Sequence, residues 1–333
     1  VKLEDIGFYT LCDERTENLS PTSPMWRCEM ILTERCNFKC PYCRGLREDC
    51  QGDISLNDAT DVLRHWSDQG LKHVRFSGGE PMLYPHLNVL VALARTWDVE
   101  RIALSTNGSF KMERYERVLA NGVNDFSISF DACCASECGK MSGTNEKLFD
   151  RLTSNIEALA RETYVTVGVV LTDDNAANLK GIVELAHSLG VADIRIIPAA
   201  QKGKMIEGVE AISQDILDAH PILAYRVKNI LDGRPVRSIE EYDSHRCHLP
   251  IDDSVVAGRY HFPCVIYMRE KGNPIGEVGP NMRAERVEWS KNHNSFEDPI
   301  CRANCLDVCV AHNNKCQARK LHVASWHNWS IDK

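Results

Sequence analysis

Cys36, Cys40 and Cys43 stand within eight residues of one another in the stretch Thr33-Glu34-Arg35-Cys36-Asn37-Phe38-Lys39-Cys40-Pro41-Tyr42-Cys43. The stretch directly follows the apolar run Met30-Ile31-Leu32. Three thiolates set so close demand a loop that turns them toward one point. Such a set holds three corners of a cubane iron–sulfur cluster and leaves the fourth iron open to a ligand. The competing readings are a zinc site, a disulfide pair and plain buried cysteines. Zinc sites usually pair well-separated Cys or His doublets, and no His lies near the triplet. Disulfides belong to secreted chains, and no stretch has the basic start and apolar core of a signal peptide.

The rest of the cysteine usage points the same way. The 333-residue chain has 15 cysteines, and six of them (Cys247, Cys264, Cys301, Cys305, Cys309 and Cys316) fall in its last third. An odd, clustered count suits metal ligation in a reducing compartment, so a cytoplasmic location is expected. The composition, 43% hydrophobic and 26% charged, is ordinary for a globular protein. No run approaches the ~18 apolar residues of a membrane span. A net charge of −8 argues against general nucleic-acid binding, which needs a basic surface.

Short β-rich runs alternate with helical patterns from residue 28 to about 200. Strands are expected at Glu29–Thr33, His73–Phe76, Arg101–Ser105, Asp125–Phe130, Tyr164–Leu171 and Asp193–Ile197. Between the first two, Leu56, Ala59, Val62, Leu63 and Trp66 repeat at helical spacing, with Ser55 placed to cap the helix and Gly70 to end it. Six β-α units call for a parallel sheet whose strand C-termini and βα loops form the reactive face. The cysteine triplet follows the first strand and belongs to that face.

Residues 1–27, with their polar Ser/Thr/Pro stretch, are expected to be a leader or linker. A core follows over 28–215 and a Cys-rich domain over 216–333, joined by a connector with a helix at Ile212–Leu231. In the tail, Cys247 and Cys264 flank an expected hairpin, Ser254–Ala257 and Tyr260–Phe262, turning at Gly258-Arg259.

Three further motifs lie at strand ends. Ser77-Gly78-Gly79-Glu80-Pro81 follows strand two, and two glycines there let the backbone approach a ligand. Strand three ends in Ser105-Thr106-Asn107-Gly108 and strand four in Ser127-Ile128-Ser129-Phe130-Asp131. Their hydroxyls, amide and carboxylate suit a ribose and a carboxylate; capping of βα turns is the plainer use of the same residues.

With these motifs the chain resembles the radical S-adenosylmethionine (radical SAM) enzymes. Within them it is similar to the branch holding the molybdenum-cofactor GTP cyclase and the SPASM/Twitch maturases. The resemblance covers roughly residues 28–200. It implies an α/β fold, a partial (β/α)6 TIM-like barrel, with a C-terminal Cys-rich SPASM/Twitch-like domain. It further implies a [4Fe–4S] cluster on Cys36, Cys40 and Cys43 that chelates S-adenosylmethionine through its open iron. Tyr42 would contact adenine, and Gly78, Gly79 and Glu80 the methionine amine. Ser105, Asn107, Ser129 and Asp131 would surround the carboxylate and ribose, with Arg75 behind the Gly-Gly turn. One electron, from a flavodoxin- or ferredoxin-type donor, would then yield a 5′-deoxyadenosyl radical that removes a hydrogen atom from substrate.

The tail resembles an auxiliary-cluster domain, which implies a second [4Fe–4S] cluster on Cys247, Cys264 and two or three of Cys301, Cys305, Cys309 and Cys316. A zinc knuckle suits the same thiols. Cys133, Cys134 and Cys138 follow strand four, where a thiol can donate a hydrogen atom to a substrate radical; small apolar filling is the alternative. Cys12, Cys28 and Cys50 are expected to be structural, and the His residues to form no ligand spacing. Arg44 and Arg47 suit an anionic substrate group or a solvated face equally.

The expected substrate is a small metabolite, a sugar, cyclitol or natural-product precursor, undergoing dehydrogenation or epimerisation. Only 27 residues precede the core, which leaves little room for a leader-recognition domain of the kind many peptide maturases carry. A ribosomal-peptide maturase making an epimer, thioether or carbon–carbon crosslink is the alternative. The GTP cyclase comes third, because this chain has neither its tail cysteine spacing nor its Gly-Gly C-terminus. A non-enzymatic iron–sulfur or zinc protein would not need the strand-end motifs.

Overall fold

The computed structural model of the protein describes residues 13–200 and 208–329, with side chains as far as residue 319. A nine-stranded sheet runs through it in the order β6-β5-β4-β3-β2-β1-β7-β8-β9. The first six strands are β1 (Arg27–Ile31), β2 (His73–Ser77), β3 (Arg101–Thr106), β4 (Asp125–Ser129), β5 (Tyr164–Leu171) and β6 (Asp193–Pro198), all parallel to their neighbours. Each falls within two residues of its expected place. Parallel strands covered on one face by helices are rich in Val, Ile and Leu, and Val165, Val167, Val169 and Leu171 of β5 all join the main core.

The helices between these strands are α2 (Leu56–Ser67), α3 (Leu87–Thr96), α4 (Met112–Asn121), α5 (Ala135–Ser142), α6 (Leu148–Glu162) and α7 (Leu179–Ser188); α1 (Asp13–Asn18) precedes them all. Ser55 caps α2 as the sequence implies, its Oγ accepting the Asp58 N–H at 3.0 Å. The expected helix at Ile212–Leu231 is instead two, α8 (Gln214–Ala219) and α9 (Pro221–Leu231). Pro221 has no N–H to continue the first and a φ suited to start the second. The buried Asp193 carboxylate completes the start of α9 by accepting the Ile222 and Leu223 N–H groups at 2.9 and 3.3 Å.

The Cys-rich tail continues the sheet. β7 (Asp253–Ala257) lies parallel to β1 in the register Cys28↔Ser254 and Ile31↔Ala257. β8 (Tyr260–Phe262) and β9 (Gly276–Glu277) follow antiparallel. Four helices complete the tail: α10 (Val265–Arg269), α11 (Met282–Asn292), α12 (Pro299–Asn304) and α13 (Asp307–Trp329). The reading of residues 1–27 as leader or linker needs correction for its latter part. Arg15 of α1 is buried and binds Asp252 through Nε at 2.8 Å, and Met25 lies in the core. A buried guanidinium needs a carboxylate, so these residues are anchored to the tail. Residues 1–12, with Cys12, lie outside the described residues; Cys28 and Cys50 are buried. Among the described residues no helix is long and apolar enough to cross a membrane.

Candidate active site

The cysteine loop leaves β1 and is held by the turn that leaves β2. The Leu32 N–H donates to Ser77 O at 2.8 Å, Gly79 N–H to Thr33 O at 2.7 Å and Glu80 N–H to Arg35 O at 2.7 Å. Only glycine permits this approach. A Cβ on Gly79 would lie 2.4 Å from the carbonyl oxygens of both Glu34 and Arg35, and one on Gly78 2.4 Å from that of Thr33. Gly78 also has φ +154°, which L side chains rarely adopt. The two glycines therefore seat the cysteine loop before they meet any ligand.

Cys36, Cys40 and Cys43 open together onto one cavity of about 580 Å³. The Cys36 sulfur accepts the Phe38 N–H at 3.4 Å and lies 3.9 Å from Asn107 Nδ2. Burial pushes the Cys40 thiol up to about 12 and raises that of Cys36. Both are poor thiolates unless a metal holds them, because metal binding and deprotonation are linked. The described cysteines form no disulfide.

Tyr42, Gly78, Gly79, Asn107, Ser129 and Asp131 all line this cavity, as do Arg75 and Ser105. Asp131 accepts the Tyr42 hydroxyl on one oxygen and the Val170 N–H, at 2.6 Å, on the other. Burial lifts its carboxyl to about 6. Asn107 Nδ2 donates to Asn37 Oδ1 at 2.8 Å, tying the end of β3 to the cysteine loop.

Glu80 departs from expectation. It is fully buried and does not line the cavity. Its carboxylate accepts the Met82 N–H at 3.0 Å, the Thr106 hydroxyl at 2.8 Å and the Asn107 N–H at 2.7 Å. The Thr106 hydroxyl and the Asn107 N–H at the end of β3 draw it beneath the turn, so it braces two strand ends away from the cavity.

A second thiol group faces the first across the same cavity. Cys247, Cys264, Cys301, Cys305 and Cys309 line it, although they come from a loop, the N-terminus of α10, α12, the residue after it and the first turn of α13. Burial first, then neighbouring thiols, raise Cys247 and Cys301. Cys305 and Cys309 share a hydrogen bond that raises the former and lowers the latter. Cys316 does not line the cavity and so leaves the expected ligand set. It lies seven residues beyond Cys309, about 10 Å along the helix, buried with its sulfur 3.6 Å from His312 Nε2.

Cys133 and Cys134 also leave the expected set of cavity thiols. They directly precede α5, Cys133 half-buried and Cys134 exposed, and with Glu137 they place ligand atoms within 4.8 Å of one another. Cys138, one turn on, does line the cavity. The expectation that no His has ligand spacing fails too: His293 Nε2 lies 3.5 Å from Cys301 Sγ, and Asp298 joins them within 4.8 Å. His312 and Cys316 are one helical turn apart, a spacing visible in sequence.

Sequence reasoning missed several of the cavity's arginines. Arg195, Arg237 and Arg269 line it together with Arg44 and Arg75. Arg44 is already paired with Glu270, while Arg47 binds Asp49 and the Lys271 and Gly272 carbonyls outside the cavity. The available signal was parity: Arg195 interrupts the buried run Asp193-Ile194-Arg195-Ile196-Ile197, where a charge must face a cavity.

The donor set suits a resident iron–sulfur cluster. Three thiols from one glycine-seated loop open to the shared cavity, and among the described residues no carboxylate or imidazole joins them in a closed metal-ligand group.

Comparison with known proteins agrees with this geometry. Residues 30–186 match the family model of the radical SAM superfamily. A GTP 3′,8-cyclase of Synechococcus sp. (strain CC9902) is 33% identical over 156 residues, which span 44% of this chain and 45% of that protein. A GTP 3′,8-cyclase of Nautilia profundicola is 24% identical over 71% of this chain and 79% of its own. In structure the chain is similar to anSMEcpe with bound AdoMet and the Cp18Cys peptide, with a TM-score of 0.56, 14% identity and coverage of 91% and 99%. It is also similar to Streptococcus suis SuiB bound to the precursor peptide SuiA, with a TM-score of 0.55, 13% identity and coverage of 87% and 65%. Likeness at such identities carries the fold, whereas the triplet, the Gly-Gly turn and the matched segment carry the kinship: the chain contains a radical SAM domain over residues 30–186.

Proposed function

We propose that this protein is a radical SAM enzyme whose two thiol groups hold one cluster each at opposite sides of a shared substrate cavity. The observation that carries the reading is the convergence of both groups on one space of about 580 Å³, the size of a small-molecule site. Cys36, Cys40 and Cys43 would hold a [4Fe–4S] cluster with S-adenosylmethionine. Cys247, Cys264, Cys301 and one of the Cys305/Cys309 pair would hold an auxiliary [4Fe–4S] cluster. When bound and reduced by a flavodoxin- or ferredoxin-type donor, the first cluster and S-adenosylmethionine supply a 5′-deoxyadenosyl radical that removes a hydrogen atom from substrate.

The chain's own residues do the positioning. Gly78 and Gly79 fix the cysteine loop and leave backbone groups facing the cavity. Tyr42, Ser129 and Asp131 offer a phenol, a hydroxyl and a carboxylate for adenine and ribose. Apolar walls from Phe130, Met141 and Leu152 limit water and stray hydrogen donors. We assign residues 28–215 to the radical SAM core and 216–333 to the auxiliary-cluster region, in a cytoplasmic protein.

The substrate we favour is a small metabolite, a sugar, cyclitol or natural-product precursor, undergoing dehydrogenation or epimerisation. Cys138 favours epimerisation, since it is the one thiol outside the two cysteine groups that lines the cavity among the described residues. The test is anaerobic purification with an iron count, then incubation with dithionite and S-adenosylmethionine. About eight iron per chain and formation of 5′-deoxyadenosine are expected. No 5′-deoxyadenosine from an iron-loaded protein would sink the enzymatic reading, and turnover of a precursor peptide alone would replace the metabolite with peptide maturation.

A further inference from the structure

Apart from the residues that line the cavity, the turn from β4 into α5 gathers two thiols and a carboxylate. Cys133, Cys134 and Glu137 hold their ligand atoms within 4.8 Å of one another. Glu137, on the first turn of α5, faces back toward the thiols, and its Oε2 accepts the Cys133 N–H at 2.7 Å. Its Oε1 accepts Asn178 Nδ2, from the residue before α7, at 2.7 Å. A second element therefore fixes the orientation of the carboxylate. Gly181 of α7 lies against the first thiol. A Cβ there would stand 3.5 Å from Cys133 Cβ and 3.8 Å from its sulfur, so the lack of a longer side chain keeps that side of the thiol clear.

Glu137 is only 8% exposed, yet among the described residues no lysine, arginine or histidine pairs with it. The lysines of the two helices are engaged elsewhere: Lys140 of α5 binds Asp174 at 2.8 Å, and Lys180 of α7 lies 3.7 Å from Glu184. Buried charges are as a rule paired or bound to a metal, and two neutral N–H donors leave the charge of Glu137 without a counterion. Cys134 is exposed, and the Ser136 hydroxyl, 3.4 Å from its sulfur, lowers its thiol. The group thus offers an accessible sulfur in front, a half-buried sulfur beside it and an oriented carboxylate behind.

We propose that Cys133, Cys134 and Glu137 form a site for a thiophilic divalent cation, zinc, with a fourth position open to water. Bonds of about 2.0–2.3 Å to zinc set tetrahedral ligand atoms about 3.5 Å apart, and rotation of the exposed Cys134 side chain supplies the closure. Two sulfur donors disfavour magnesium and calcium, which take oxygen ligands. Binding releases the thiol protons. The ion joins the end of β4 to α5 and, through Asn178, to α7, so it stabilises that corner of the fold and takes no part in turnover. None of the three ligands lines the cavity, and the site stands whether or not the cavity holds S-adenosylmethionine.

The test dialyses the cluster-loaded protein against buffered zinc, anaerobically, with a phosphine reductant and excess magnesium and calcium. Zinc and iron are then counted together by elemental analysis. One zinc per chain is expected, with iron unchanged and a melting temperature that rises with zinc concentration. Cys134→Ser, a change at an exposed position, and Glu137→Gln, which keeps an oxygen for the Cys133 N–H, each lose the zinc and its thermal effect and keep their iron. Asn178→Ala frees the carboxylate and weakens zinc binding by about 10–100-fold. The proposal is overturned if the wild type binds no zinc, or if either Cys134→Ser or Glu137→Gln binds it as tightly as wild type. It is also overturned if the zinc gained is matched by iron lost, which would place the ion on the cavity thiols. Zinc binding of the expected pattern in a protein that forms no 5′-deoxyadenosine would support this site while refuting the enzymatic reading of the cavity.

Discussion

At Glu80 burial and hydrogen bonding pull in opposite directions, and burial wins. Three donors favour the carboxylate, yet its carboxyl is raised to about 7. A folded-state value above the unfolded one means that Glu80's contribution to stability is full below about 4.5 and fades as pH rises through 7. Glu80→Gln is expected to flatten that slope. It also sets an amide N–H against a backbone donor, at a cost of about 1–3 kcal/mol. Urea midpoints of both proteins at pH 5.5 and pH 8 check this, and parallel pH dependences would show that Glu80 does not titrate there. Gly79→Ala acts by sterics alone. Its Cβ meets two backbone oxygens that no rotamer can move, so a cost of about 1–3 kcal/mol falls on the cysteine loop. The expected result is loss of the iron held by the triplet with retention of the tail's iron, read by iron analysis and EPR.

The elements of the tail decide which thiols can act together. α12 is short and α13 begins immediately after it, so Cys301, Cys305 and Cys309 turn inward, while Cys316, two turns on, remains behind. Cys316→Ala is therefore expected to hold as much iron as wild type, whereas Cys247→Ala, Cys264→Ala and Cys301→Ala each lose about four iron per chain. A Cys316→Ala protein short of four iron would reject this ligand set. α5 sorts its thiols in the same way. Turnover is expected to survive Cys133→Ala and Cys134→Ala, and, if the reaction is an epimerisation, to fall at least tenfold with Cys138→Ala as product incorporation of solvent hydrogen is lost. Such sorting was illegible in the sequence, because a cysteine's spacing in a helix gives its angle only once the helix limits and packing partners are known.

Over the whole molecule, buried cations hold the tail together and bind α1 to it. Arg15 joins α1 to Asp252, and the fully buried Arg286 of α11 donates to the Pro250, Asp253 and Phe262 carbonyls around β7 and β8. β7 extends the sheet beside β1, so strain in the tail reaches the strand that carries the cysteine triplet. Arg15→Ala leaves Asp252 buried and unpaired, at a cost of about 3–5 kcal/mol. The expected outcome is a lowered melting temperature with earlier loss of the tail's iron on heating; an unchanged melting temperature would show that α1 is dispensable.

Strand positions were legible because a buried parallel strand must be continuously apolar, and Tyr164–Leu171 falls where the sequence placed it. The triplet, the Gly-Gly turn, the residues around Tyr42 and Asp131, and the hairpin at Gly258 are local patterns that carry their own chemistry. The fate of the Glu80 carboxylate, the exclusion of Cys316, Cys133 and Cys134, and the meeting of His293 with Cys301 were decided only by tertiary structure. Each depends on which groups burial brings together from distant parts of the chain, and desolvation is a property of that three-dimensional neighbourhood. The sequence by itself determined that three cysteines would share one loop at the end of β1; the folded chain determined which charges and thiols face that loop across the cavity.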